Sequence, residues 1–139
     1  MIKQLVIFCL FTLLIAPLQA NKAIAPLAIL SVETVDTQQL IELIQTSNNL
    51  IIIDSRKKAT YKKGHIEGSI NIPDNKMTPE MLGQYVTEKT QALLFYCDSD
   101  KCARSSNAAK KARQWGYSHI YWYRDGWKMW LSEELPIEQ

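Results

Sequence analysis

Ala92-Leu93-Leu94-Phe95-Tyr96-Cys97-Asp98-Ser99-Asp100-Lys101-Cys102-Ala103-Arg104-Ser105-Ser106-Asn107-Ala108-Ala109, running on to Gly116, joins an apolar run to a polar loop and an alanine-rich helical pattern. The run is short and apolar on both faces, as a buried strand requires. The pattern after Arg104 repeats Ala108, Ala109, Ala112 and Trp115 at helical spacing, leaving Lys110, Lys111 and Arg113 to face water. Gly116 suits the position just past the helix end. Strand, loop and helix in this order set the Cys97 thiol at the carboxyl end of a strand, facing a helix N-terminus. Open α/β sheets bind ligands there, and backbone N–H groups and the helix dipole favour an anion. A thiol so placed has its thiolate favoured, which makes Cys97 a candidate nucleophile.

Outward from this stretch, the first 20 of the 139 residues stand apart. Lys3 is the one cation before the apolar run Leu5–Ala16, and Pro17-Leu18-Gln19-Ala20 supplies a small residue at a cleavage point. That is a signal-peptide pattern, with an uncleaved anchor as the alternative. The run is shorter than the roughly 20 residues a membrane-spanning helix needs. Residues 21–30 read as a linker and 31–139 as one domain. Without residues 1–20 the chain carries 15 basic and 14 acidic side chains, which gives no sign of a nucleic-acid partner. The expected location is outside the cytoplasm, in the periplasm for a Gram-negative source, with membrane attachment only if residues 1–20 are retained.

Leu30–Val35 reads as an edge strand. Asp36 and Gln39 form a capping box ahead of Leu40, Ile41, Leu43 and Ile44, and Val35 and Leu40 hold the two staple positions. Leu50–Asp54 is β-branched and apolar on both faces, so it should be an interior parallel strand. Gly64–Gly68 is a turn, Ser69–Ile72 a short strand, and Thr78–Thr87 a helix opened by Thr78 and Pro79. His119–Tyr123 is the last strand, Trp127–Leu131 a short helix, and Leu135-Pro136 ends the fold. Alternating strands and helices predict an α/β domain with a mainly parallel sheet.

Asp54-Ser55-Arg56, Gly64-His65-Ile66-Glu67-Gly68-Ser69-Ile70-Asn71-Ile72-Pro73, Tyr96-Cys97 through Arg104-Ser105, Gly116-Tyr117 and Tyr123-Arg124-Asp125-Gly126 with Trp130 occur in this order. The ordered set resembles the rhodanese family of sulfurtransferases over residues 31–139. The resemblance implies a three-layer α/β domain with a central, mainly parallel five-stranded sheet flanked by helices. It implies a cysteine, here Cys97, that takes a sulfane sulfur from a donor such as thiosulfate and passes it, as a persulfide, to a thiol or cyanide. The backbone of Asp98, Ser99, Asp100, Lys101, Cys102, Ala103 and Arg104 would cradle the anion. Arg104 would hold the loop or meet an anionic donor, and Asp54 and Arg56 would support the loop. No metal or organic cofactor is implied.

The loop departs from the common Cys-x-x-Gly-x-Arg-Ser pattern. Arg104 comes seven residues after Cys97, the glycine is missing and Cys102 is added. Anchored on Arg104, the usual cysteine position falls on Ser99, but the strand pattern ends at Cys97. Longer loops resemble those of phosphatase and arsenate-reductase relatives, yet Asp98 and Asp100 would repel a tetrahedral oxyanion. Cys102 reads either as an exposed loop residue or as a second thiol that forms a disulfide with Cys97 or accepts its sulfur. His65 and His119 read as structural. Trp115, Tyr117, Tyr121, Trp122, Tyr123, Trp127 and Trp130 read as core and sheet cover, with a docking surface for a protein partner or a rim around the active site as the sharper alternative. Two further functions stay open: a dithiol/disulfide protein using Cys97 and Cys102, and a non-catalytic rhodanese-like binding module.

Overall fold

The computed structural model describes residues 24–139. At the centre of its main sheet is β5 (Leu93–Tyr96), whose four side chains are fully buried. It pairs on one side with β2 (Ile51–Asp54) and on the other with β6 (Ile120–Tyr123). β4 (Ile70–Asn71) continues from β2, and β1 (Glu33–Val35) from β6, giving the order β1-β6-β5-β2-β4 with every pair parallel. The expectation of a central, parallel five-stranded sheet flanked by helices is met.

Alternation along β5 builds two cores. Leu93 and Phe95 pack with Ile53, Ala108, Ala109, Ala112 and Leu82, which come from one face of the sheet and from α3 (Pro79–Gly83) and α4 (Arg104–Gln114). Leu94 and Tyr96 pack with Leu40, Ile66 and Trp130 on the other face, under α1 (Thr37–Thr46) and α5 (Gly126–Ser132). Burying each large apolar side chain contributes about 1.5–3 kcal/mol.

The helix ends are those the residues call for. Asp36 Oδ1 accepts from the Gln39 N–H at 2.8 Å and Gln39 Oε1 accepts from the Asp36 N–H at 2.9 Å, so the capping box is complete. Gly116, at φ +89, ends α4. Tyr117 N–H returns to Ala112 O and Gly116 N–H to Arg113 O, the paired bonds of a Schellman ending.

Five details differ from the sequence expectation. Residues 24–30 are not a free linker, since Ala25 and Ile29 are buried in the core and Pro26 O accepts from Arg124 Nε. The edge strand begins at Glu33. The helix from Pro79 stops at Gly83, where the chain tightens into three-residue bonds from Gln84 N–H to Met81 O and from Tyr85 N–H to Leu82 O. Lys111 does not simply face water, because its Nζ donates to Asp74 O at 2.6 Å. The fold also continues past Pro136: β7 (Ile137–Glu138) pairs antiparallel with β3 (His65–Ile66) in a second small sheet. The signal-peptide reading lies outside the described residues. Among those described, no helix is long and apolar enough to cross a membrane.

Candidate active site

Cys97 follows directly on β5 and is 1 % exposed. Its carbonyl accepts from the Trp127 N–H at 2.8 Å, and the Asp98 carbonyl accepts from the Lys128 N–H at 2.9 Å. These donors belong to the first turn of α5, where N–H groups have no partner within the helix and Asp125 gives no side-chain cap. Loop and helix therefore satisfy each other. The contact depends on Gly126, whose φ is +70 and whose absent Cβ would lie 2.6 Å from Cys97 O.

At the other end of the loop, α4 starts after Ala103, which has no side-chain acceptor. Trp122 Nε1 donates to Ser105 Oγ at 2.9 Å, tying the first turn of α4 to β6. Of the N–H groups from Asp98 to Arg104, only that of Cys102 donates within the described residues, to Ser99 O at 2.9 Å. The others have no acceptor among the described residues, in a place where the helix dipole adds positive potential.

The sulfur of Cys97 is bonded to that of Cys102, with Cα atoms 6.2 Å apart. This is the disulfide arrangement, one of the alternatives for Cys102. An open pocket of about 320 Å³ at the bond is lined by Arg56, Lys57, Thr60, Cys97, Asp98, Cys102 and Arg104. A broader one of about 560 Å³ lies on the outer side, against Asp74, Lys101, Cys102, Arg104 and Lys128.

The loop's carboxylates have partners. Asp98 Oδ2 lies 3.3 Å from Lys128 Nζ and Asp100 Oδ2 lies 3.8 Å from Arg124 Nη1, so both acids pin the loop to its neighbours. Arg104 Nη1 donates to Asp74 Oδ1 at 3.0 Å and remains a third exposed at the pocket wall.

Asp54 and Arg56 form a buried pair under the site. Arg56 Nη2 donates to Asp54 Oδ2 at 2.6 Å and to Gly64 O at 2.8 Å. The guanidinium lies 4.7 Å from the centre of the Trp127 ring, a cation–π contact. Burial works against the Arg56 charge, but hydrogen bonding and attraction to Asp54 hold its pKa above the ordinary guanidinium value. Tyr96 OH donates to Asp54 Oδ2 at 2.7 Å and accepts from the Ile66 N–H at 3.1 Å. Desolvation, then the Asp54 charge, push the Tyr96 phenol far up. These groups reach Cys97 through Trp127, which binds the Cys97 carbonyl and covers Arg56. Ser55 lies one step past the paired Asp54 and Tyr96, beside Cys97, and its hydroxyl is buried without a hydrogen-bond partner among the described residues.

His65 lines neither pocket. It stacks on Tyr61 at 3.7 Å, with Nδ1 3.0 Å from Tyr61 O and Nε2 3.3 Å from Glu138 Oε2. His119 lies at the surface with Nδ1 2.8 Å from Thr90 O. All seven C-terminal aromatic rings are buried or half-buried, which is the core and cover role. Sequence reasoning missed Gly126, Asp74 and Lys128 as site residues. The signal for the first was present in Arg124-Asp125-Gly126, whose glycine opens a helix.

Comparison with known proteins agrees with this geometry. The model of the Rhodanese-like domain matches residues 36–133. The chain is 27 % identical over 88 residues to the Escherichia coli uncharacterized protein YibN, covering 63 % of this chain and 59 % of that protein. It thus spans about three fifths of YibN's length. It is 30 % identical over 94 residues to the thiosulfate:glutathione sulfurtransferase of Saccharomyces cerevisiae, covering 60 % of this chain and 66 % of that one. The crystal structure of BH2092 from Bacillus halodurans superposes with a TM-score of 0.69 at 29 % identity, over 78 % of this chain and 77 % of the other. A family match over most of the chain and a parallel sheet that delivers a cysteine to a helix N-terminus place this protein in the rhodanese-like domain family.

Proposed function

We propose that the protein is a sulfurtransferase in which the Cys97 thiolate takes the sulfane sulfur of a small anionic donor such as thiosulfate and passes it to a thiol or cyanide. The observation that carries this reading is the set of free loop N–H groups and the uncapped start of α4 around a cysteine at the end of the central strand. The disulfide is the oxidised form, and the dithiol is the form that reacts. The thiolate attacks the outer sulfur of thiosulfate, the donor's S–S bond breaks, and sulfite leaves with the bonding pair. The acceptor then attacks the outer sulfur of the persulfide and Cys97 departs as thiolate. Loop N–H groups stabilise the anionic sulfur throughout, and Arg104 attracts the donor. An oxidising compartment outside the cytoplasm fits the disulfide.

The test is to give thiosulfate to the reduced full chain and take intact mass and sulfite. Sulfite release that Cys97→Ser abolishes supports the reading, and no sulfite from the reduced chain overturns it. The disulfide itself favours a second reading, in which the pair only exchanges with other dithiols. A reversible potential with no sulfite release would select that one.

A further inference from the structure

We propose that Cys102 is a resolving thiol. It attacks the inner sulfur of a Cys97 persulfide, expels the outer sulfur as hydrosulfide and leaves the Cys97–Cys102 disulfide. This inference rests on the sulfurtransferase reading of Cys97 and adds a route that discharges its persulfide when no external acceptor takes the sulfur.

The position of Cys102 argues for it. The Cα atoms of the two cysteines are 6.2 Å apart, within the span of about 4.4–6.8 Å that disulfides occupy, and the loop is anchored while they are bonded. Cys97 O and Asp98 O keep their bonds to α5, and the turn closed by Cys102 N–H and Ser99 O carries Cys102 back over the strand end. Exposure separates the roles: Cys97 is buried, whereas Cys102 is half-exposed and lines both pockets.

The same geometry selects which sulfur is attacked. Cys102 Sγ is bonded to Cys97 Sγ itself, the inner atom of the persulfide. Attack there breaks the bond between inner and outer sulfur. The electron pair leaves with the outer sulfur, which takes the Cys102 proton and departs as hydrosulfide. The two cysteines together lose two electrons, and the sulfane sulfur gains them. Attack on the outer sulfur would instead move the persulfide to Cys102 and form no internal disulfide.

The cycle then needs a reductant, and its class follows. A dithiol attacks the more exposed Cys102 sulfur, forms a mixed disulfide, and closes to its own disulfide as both cysteines return to thiols. The net reaction converts thiosulfate and a dithiol into sulfite, sulfide and a disulfide. A reaction supplying dithiol must therefore precede each turnover, and one consuming sulfide must follow.

The experiment uses the reduced full chain, freed of reductant and kept from oxygen, with one equivalent of thiosulfate. Wild type is expected to release sulfite and sulfide in equal amounts and to end two hydrogens lighter than the reduced chain. Cys102→Ser is expected to release sulfite but no sulfide and to retain the extra sulfur. Equal urea midpoints for reduced wild type and Cys102→Ser establish that the variant is folded. Wild type that keeps its extra sulfur and releases no sulfide overturns the role of Cys102 while leaving the sulfurtransferase reading intact. Sulfide from Cys102→Ser at the wild-type level, or no sulfite from that variant, also overturns it. No sulfite from wild type removes the sulfurtransferase reading, and this inference with it.

Discussion

Gly126 sits so close to Cys97 that a Cβ added to it would lie 2.6 Å from the Cys97 carbonyl oxygen and 3.1 Å from the Asp98 carbonyl carbon. The residue that opens the last helix thus sets the height of the loop that follows Cys97. Its φ of +70 adds a second demand that a side chain meets poorly. Gly126→Ala is expected to cost about 1–3 kcal/mol from backbone strain, with more from the clash. It should also slow sulfite release by displacing Cys97. Urea midpoints and thiosulfate turnover check both effects.

Removing one partner of the buried Asp54–Arg56 pair leaves a charge without its counter-ion. The side chains are 0 % and 4 % exposed. Arg56→Ala is expected to destabilise by about 3–5 kcal/mol. Tyr96→Phe strips a hydroxyl that serves Asp54, Ile66 and Ser69, and should cost about 1–3 kcal/mol. Urea unfolding orders the two variants, and a Tyr96→Phe loss equal to that of Arg56→Ala would count against the charge argument.

Tyr123 gives the fold an alkaline limit. Burial first, and then the charges of Asp125, Glu133 and Asp36, push its phenol up to about 12. The unfolded chain ionises near the ordinary value of about 10. The folded state therefore holds the proton where the unfolded state has lost it, so stability is fully present below pH about 10 and falls as pH rises toward about 12. Tyr123→Phe should flatten part of that fall, while losing the 2.8 Å bond to Thr37 Oγ1. The slope of the urea midpoint against pH is the readout.

Arg104 and Lys128 both stand at the pocket, in ion pairs of different settings. Lys128 is 69 % exposed beside Asp98, and such surface pairs contribute about 0–1 kcal/mol. Lys128→Ala should leave stability within that range. Arg104→Ala should raise the KM for thiosulfate several-fold with a smaller change in kcat, because it removes a cation from the donor's approach. Steady-state sulfite release separates the two constants, and an unchanged KM would exclude Arg104 from donor binding.

Where the determining interactions are local, the sequence was readable. The run ending at Tyr96 and the helical spacing after Arg104 locate β5 and α4 to within a residue or so, and Asp36 with Gln39 fixes the start of α1. What stayed hidden depends on partners far along the chain. Ile137 and Glu138 form a strand only because His65 and Ile66 are waiting for them, and two residues carry no periodicity. Asp98 and Asp100 read as charges facing a substrate until Lys128 and Arg124 are seen beside them. The five-residue spacing of Cys97 and Cys102 permits a bond, but the turn that closes it is set by contacts from α5.

Strand β5 is hydrogen-bonded along both edges and has no exposed side chain. Its amides should exchange with solvent only when the whole domain opens, whereas those of residues 98–103 should exchange through local fluctuation. If the two sulfurs cycle as proposed, the strand beneath should keep its place while the loop changes.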